Sequence, residues 1–266
     1  MKLLCPTDFS NTSVNACRWA TQLLENLGGG DLEILHCINL NSRSPIFLNK
    51  DDFFKEYAEK DLNQLLAELK PLGPKVRFSW KIIKSDPKSF VPTYVKQSDF
   101  SMIVMGSKGM SALKEMTVGS VTAHLMDRIH IPMFVIPDGI TFQKIKTVVL
   151  GVDEKPDTEK TLLPLVQLIK QTHAQLELVH TYKEKPGIAP QDLSVHVPLD
   201  HLPFKFSNVP QGKSIPLTLM DFTMEKGADL LVLLHEHRTW WERLFVNSLS
   251  KTELFDLRKP LMLLPE

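Results

Sequence analysis

The feature that most constrains this chain lies at residues 102–121, MIVMGSKGMSALKEMTVGSV. Residues 103–105 form a short apolar run with a β-branched pair, which reads as a buried parallel strand. Gly106 ends it, Gly109 follows, and Gly119-Ser120 comes ten positions after that. Val121, Leu125 and Ile129 then recur at helical spacing, which predicts a helix starting at Gly119-Ser120. Strand, glycine loop and helix N-terminus together make a holder for phosphate. Glycines let the backbone approach an anion closely. The unpaired N–H groups and positive dipole end of the helix supply attraction. Ser120 adds a hydroxyl donor, and Lys108 either adds charge or points into water. A lone G-x2-G is commonly a connection without a ligand, so the reading rests on the whole run.

The elements around this stretch specify its setting. Residues 3–5 are a short apolar strand, followed by a turn with cap-forming residues, PTDFS, at 6–10. Val14, Cys17, Ala20 and Leu24 mark an amphipathic helix closed by Gly28-Gly29-Gly30. A strand at 32–38, a helix at 51–69, a strand at 76–83 and a short helix at 89–97 follow, with Pro92 placed in the first turn of that helix. After the glycine loop and its helix comes a last strand, residues 133–136, between Pro132 and Pro137. Alternating strands and helices with short turns predict a doubly wound α/β sheet. If the strand order is 3-2-1-4-5, Asp8 and Gly106 flank one crevice at the carboxyl ends of the first and fourth strands. The expected ligand has phosphates on Gly109, Gly119, Ser120 and Val121 and a sugar hydroxyl on Asp8. An Asp before a helix is also commonly a cap, and the two roles are compatible.

The second half reads as a worn copy of the first. DLEILHCIN at 31–39 reappears as QLELVHTYK at 175–183, and LLCPTDFS as VLGVDEKP, so that Asp153 answers Asp8. SMIVMG reappears as LLVLLH at 230–235, TVGS as FVNS at 245–248, and IPMFVIP as KPLMLLP. Two tandem α/β domains are therefore expected, 1–141 and 142–266. The repeated terminal strands are apolar sheet edges, which are normally paired or covered, so the halves are expected to pair face to face within one chain. His235 and Arg238 stand for Gly106 and Gly109 in the copy, with Trp240-Trp241 filling the middle of the loop, so no nucleotide is expected there. Residues 183–210, rich in proline, read as a loop or cover segment. Gly212-Lys213-Ser214 looks like the tail of a P-loop, but Ser207 stands where its first glycine belongs. His235 and His237, with His180 if it lies nearby, would make a zinc site only if three or four ligands converge; polar residues replacing a lost nucleotide site are the preferred reading.

G-x2-G-x9-G-S after a strand resembles the ATP-binding pattern of the universal stress protein family. Gly106, Ser107, Gly109, Leu113, Lys114, Glu115, Gly119, Ser120 and Val121 fall where its nucleotide-binding members have similar residues. PTDFS at 6–10 and ILHCI at 34–38 resemble it too. The resemblance covers nearly the whole chain as two repeats. It implies a Rossmann-like, adenine nucleotide alpha hydrolase-like fold and ATP as ligand, with or without a divalent cation such as magnesium. It also implies a site of Pro6, Thr7, Asp8, Cys37, Met105, Gly106, Gly109, Gly119, Ser120 and Val121. Thr7 and Asp8 would border ribose and adenine. Cys37 stands where the family often has Val against the base.

A 266-residue chain is long for one domain and comfortable for two. With 31 basic and 31 acidic residues, bulk charge favours neither nucleic acid nor anionic membrane as partner. No apolar stretch is long enough to span a bilayer. Cys5, Cys17 and Cys37 have no paired spacing and read as reduced thiols of a cytoplasmic protein, with Cys5 and Cys37 in apolar strands. Three functions stay open: a nucleotide-binding sensor or regulatory module, a slow ATPase or phosphotransfer enzyme, and a scaffold with no nucleotide. No catalytic set or metal site is assigned, since Asp8 and Glu115 lack a defining spacing. A homodimer is compatible with the terminal strands.

Overall fold

The computed structural model of the chain describes residues 1–38, 51–110, 118–152, 159–184, 199, 202–212, 214–235 and 257–265, with the backbone alone at 51–54, 159 and 235. Ten strands occur among them: β1 (Lys2–Thr7), β2 (Gly30–Ile38), β3 (Val76–Lys84), β4 (Met102–Gly106), β5 (Met133–Ile136), β6 (Thr147–Val152), β7 (Gln175–Tyr182), β8 (Phe204–Pro210), β9 (Leu230–His235) and β10 (Leu261–Pro265). The helices are α1 (Asn11–Asn26), α2 (Asp51–Leu69), α3 (Pro87–Lys96), α4 (Ser120–Arg128), α5 (Glu159–Thr172) and α6 (Ile215–Glu225).

All ten strands form one sheet, in the order β3-β2-β1-β4-β5-β10-β9-β6-β7-β8. Every neighbouring pair is parallel except β5 with β10, which run antiparallel with Val135 opposite Leu261 and Met133 opposite Leu263. The first half thus has the expected order 3-2-1-4-5, and the strands of the second half follow the same path. The halves meet edge to edge, not face to face: two short apolar edges complete each other's ladders and leave no exposed pair of edges at the centre.

Core burial explains the elements. β4 is buried at all five positions, as its continuous apolar run requires. α1 is capped by Ser10, whose hydroxyl accepts from the Ser13 N–H, and it buries Trp19, Ala20, Leu23 and Leu24 against the sheet. Trp19 stacks tilted on Phe134 of β5 with ring centroids 5.0 Å apart. The chain leaves α1 through Gly28 and Gly29 at φ 96° and 110°, values that suit glycine.

Three local expectations need correction. Pro6 and Thr7 belong to β1, not to a turn. In parallel pairing, alternate residues face opposite neighbours, and the Lys2 carbonyl accepts from Ser101 beside β4. Pro6 therefore also faces β4, and because it has no N–H to donate, the β1–β4 ladder ends at Leu4–Ile103, just before it. α3 starts at Pro87, which puts Pro92 inside the helix, and it is Pro87 that occupies the first turn. Residues 204–210, read as cover, form β8, parallel to β7 from Leu176–Phe204 to Tyr182–Pro210. Its alternating Phe204 and Phe206 pack on the core. The prolines that suggested a loop mostly precede it. Among the described residues no helix is long and apolar enough to cross a membrane.

Candidate functional site

β1 and β4 pair at Leu3–Met102 and Leu4–Ile103, and the ladder stops before Pro6. The chain departs from them in opposite directions, to α1 and to the glycine loop, so a crevice opens at their carboxyl ends. It holds about 670 Å³ of empty space, counting the part open to solvent. Pro6, Thr7, Asp8, Cys37, Met105, Gly106, Gly109, Gly119, Ser120 and Val121 all line it. Five further lining residues were not in that set: Ser13, Leu35, Pro87, Lys108 and Thr122. Leu35 was legible, because it lies two residues before Cys37 on the same face of β2. Ser13 and Thr122 are helix residues recruited by packing, which no short motif announces.

The floor is a network of short polar bonds. Thr7 Oγ1 lies 2.9 Å from Ser13 Oγ and accepts the Phe9 N–H at 3.0 Å. Thr122 Oγ1 donates to the Gly106 carbonyl at 2.9 Å, tying α4 to the end of β4. Phe9 sits at φ 60°, an unfavourable conformation for a residue with a side chain, beside the site. His36, on the other face of β2, holds the Thr7 carbonyl from below, Nδ1 to oxygen 2.9 Å. Burial lowers its pKa, against the opposing pull of that carbonyl and of Asp8.

Asp8 is not the helix cap, a role that Ser10 fills. Its Oδ1 accepts the Ser10 N–H at 3.1 Å and its Oδ2 accepts the Met110 N–H at 2.8 Å, so it bridges the turn after β1 to the glycine loop. Burial would raise its pKa, but hydrogen bonds from Ser10, Met110 and Ser13 outweigh that and hold the carboxyl below its ordinary value. Burial, aided by Asp86, pushes the Cys37 thiol up to about 12, so Cys37 presents a neutral, weakly polar surface and no thiolate.

The three glycines have three different reasons. A Cβ on Gly106 would lie 2.8 Å from the Thr12 carbonyl oxygen, so this glycine lets α1 pack on β4. A Cβ on Gly109 would lie 2.5 Å from Asp8 Oδ2 and displace the carboxylate. Gly119 is different. It sits at φ −74°, ψ 157°, a conformation open to any residue, and a Cβ there would meet ordinary contacts of 3.4 to 3.6 Å. It is the N-cap of α4, yet it offers no side-chain acceptor to the first turn, whereas Ser10 and Ser214 do so for α1 and α6. The described fold does not require glycine at 119.

Ser214 of the P-loop look-alike caps α6, accepting from the Leu217 N–H, so that motif has a structural role. His180 Nδ1 lies 3.0 Å from Asn208 Oδ1 on β8. Among the described residues no group of three His, Cys, Asp or Glu converges as a metal site would. Leu113, Lys114, Glu115, Asp153, Arg238, Trp240, Trp241 and Asn247, with the side chain of His235, lie outside the described residues. The expectation of a closed crevice in the second half falls there.

Comparison with known proteins adds the following. The sequence profile of the universal stress protein family matches residues 1–137. A universal stress protein of Methanocaldococcus jannaschii is 27% identical over 154 residues, covering 51% of this chain and 93% of that one. The crystal structure of a universal stress protein from Archaeoglobus fulgidus superposes with a TM-score of 0.77 at 18% identity, over 100% of this chain and 96% of the other. The crystal structure of a putative universal stress protein from Pseudomonas aeruginosa gives 0.58 at 12% identity over 99% and 92%. These two likenesses concern the fold.

Proposed function

The chain belongs to the universal stress protein family, and from that premise we propose that it binds one ATP in the crevice between β1 and β4 and acts as a regulatory module in a stress response. The observation that carries this reading is the N-terminus of α4. Its first-turn N–H groups have no side-chain cap, and its cap position is a glycine the fold does not need. A helix start of that kind favours an anion. The phosphates would take the N–H groups of Gly109, Ser120 and Val121 beside the Cβ-free surface of Gly119, whose own N–H donates to the Ser107 carbonyl at 2.7 Å, with Lys108 at the same wall. Asp8, which retains acceptor capacity beyond its two N–H bonds, would take a ribose hydroxyl. Pro6, Thr7, Leu35, Cys37 and Met105 would border the base. Asp8 is the one acidic side chain lining the crevice among the described residues. A divalent cation such as magnesium would therefore arrive with the phosphates.

In this reading the chain is two tandem repeats, 1–141 and 142–266, in a cytoplasmic protein. The matching strand paths on either side of the β5–β10 pair support the repeat. Only the first repeat would keep the nucleotide. Calorimetric titration of the full chain with ATP tests this: one site per chain is expected. No binding would remove the reading, and two sites would remove the assignment of the second half.

A further inference from the structure

A second cavity lies at the seam where β5 meets β10, with about 750 Å³ of empty space, mouth included. One wall is the connector from β5 to β6, residues 137–146, which supplies Ile140 and Ile145. The facing wall has Met224 in the last turn of α6, Asp229 just before β9, and Arg258 and Lys259 just before β10. None of these residues lines the crevice described above.

The connector is fixed at both ends. Thr12 Oγ1 donates to Asp138 Oδ1 at 3.1 Å, and Asn15 Nδ2 donates to the Ile140 carbonyl at 2.8 Å, which fastens one end to α1. Asp229 Oδ2 accepts the N–H groups of Lys146 at 2.8 Å and Thr147 at 3.0 Å, which fastens the other. The gap between the anchors is therefore built in and does not come from a loose loop. A cleft open to solvent with charged groups in its wall is filled by water or by a ligand.

Its lining selects a charge and a shape. Arg258 and Lys259 are adjacent and half-buried. Asp221 on α6 meets Arg258 from outside the cavity lining. The Asp229 carboxylate keeps its charge but spends Oδ2 on two N–H donors, so among the lining residues two cations stand against one carboxylate. Ile140, Ile145 and the adaptable thioether of Met224 give an apolar surface beside the two cations. A guanidinium next to an ammonium suits a carboxylate, and the aliphatic surface suits a short hydrocarbon or aromatic body. We propose that the seam cavity is a second ligand site, for a small organic acid held by its carboxylate at Arg258 and Lys259 and by its body against Ile140, Ile145 and Met224.

The test uses the full chain with its isoleucine and methionine methyl groups followed by NMR. Three probes are titrated: benzoate, benzylamine as the same body with opposite charge, and inorganic phosphate as charge alone. Benzoate is expected to shift the Ile140, Ile145 and Met224 methyl signals saturably, and benzylamine is expected not to. Lys259→Gln, and separately Arg258→Gln, should weaken benzoate by about tenfold or more, with the melting temperature recorded for each. Lys259→Gln keeps the Arg258–Asp221 pair and so isolates the cavity. Absence of a saturable benzoate shift would overturn the proposal. So would equal binding of benzylamine, phosphate binding as tight as benzoate, or undiminished benzoate affinity in a folded Lys259→Gln chain.

Discussion

Placing a cap residue at Gly119 separates the ligand from the fold. In Gly119→Ser and Gly119→Asp the new side chain starts from φ −74°, ψ 157°, close to the φ −63°, ψ 155° of the working cap Ser10. Its Cβ meets Gly109 N and Lys108 Cα at 3.4 Å, so the neighbours yield by a few tenths of an ångström at most. Replacing a glycine cap by Ser or Asp gains a few tenths of a kcal/mol, roughly, and a carboxylate at a helix N-terminus adds about 0.3 to 1 kcal/mol. Binding should move the other way. Serine takes one or two of the N–H donors from the phosphates, at about 0.5 to 1.5 kcal/mol each, which weakens ATP by roughly three- to tenfold for one donor. Aspartate also sets a negative charge beside the phosphates. At about 4 Å and an effective dielectric of about 20, that repulsion is about 4 kcal/mol, or close to ~10³-fold. Stability by urea denaturation should therefore rise or hold from parent to Ser to Asp, while ATP affinity by calorimetry falls in the same order. A glycine needed only by the fold would lose stability along the series. Refutation is a folded Asp variant that binds ATP like the parent, or a loss of more than about 2 kcal/mol of stability in the Ser variant.

Asp8→Ala removes an acceptor from the Ser10 and Met110 N–H groups and should cost about 1 to 3 kcal/mol of stability, with ATP weakened by a similar amount if Asp8 holds a ribose hydroxyl. Because the folded carboxyl lies below its ordinary value, this contribution is present above about pH 4 and is lost as pH falls further; parent and variant denaturation curves measured from pH 7 down to pH 3 should converge. Cys37, raised to about 12, should react with iodoacetamide at pH 8 far more slowly than a free thiol. Cys5 and Cys17, both fully buried, should label only on unfolding; peptide mass spectrometry reads all three, and rapid labelling of Cys37 in the folded chain would contradict its assigned environment. A chain ending at Gly139 leaves β5 without β10 and should self-associate through that edge in sedimentation, whereas a stable monomer at high concentration would show that the edge needs no partner.

Local pattern and spacing by themselves determined the strands and helices of the first half, their alternation, and the residues that meet at the crevice. Periodicity marks the helices, continuous apolar runs mark buried strands, and in a doubly wound sheet the carboxyl ends of the first and fourth strands must adjoin. That is why Asp8 and Gly109, far apart in the chain, could be placed together from sequence. β8 escaped because proline-rich composition outweighed a short alternation of Phe204 and Phe206, whose burial depends on β7 beside it. Tertiary structure alone decided what each residue does there. Asp8 could be a cap, a ribose acceptor or both until Ser10 was seen capping α1 and Asp8 was seen holding Met110. The three glycines look alike in the chain, but Gly106 answers to Thr12 and Gly109 to Asp8, while a side chain at Gly119 would meet only ordinary contacts. The repeated terminal strands announced that their two edges would satisfy each other, but the edge-to-edge antiparallel register of β5 on β10 and the seam cavity beside it were not legible. They arise from contacts between segments far apart in the chain, and local pattern carries no information about such distances.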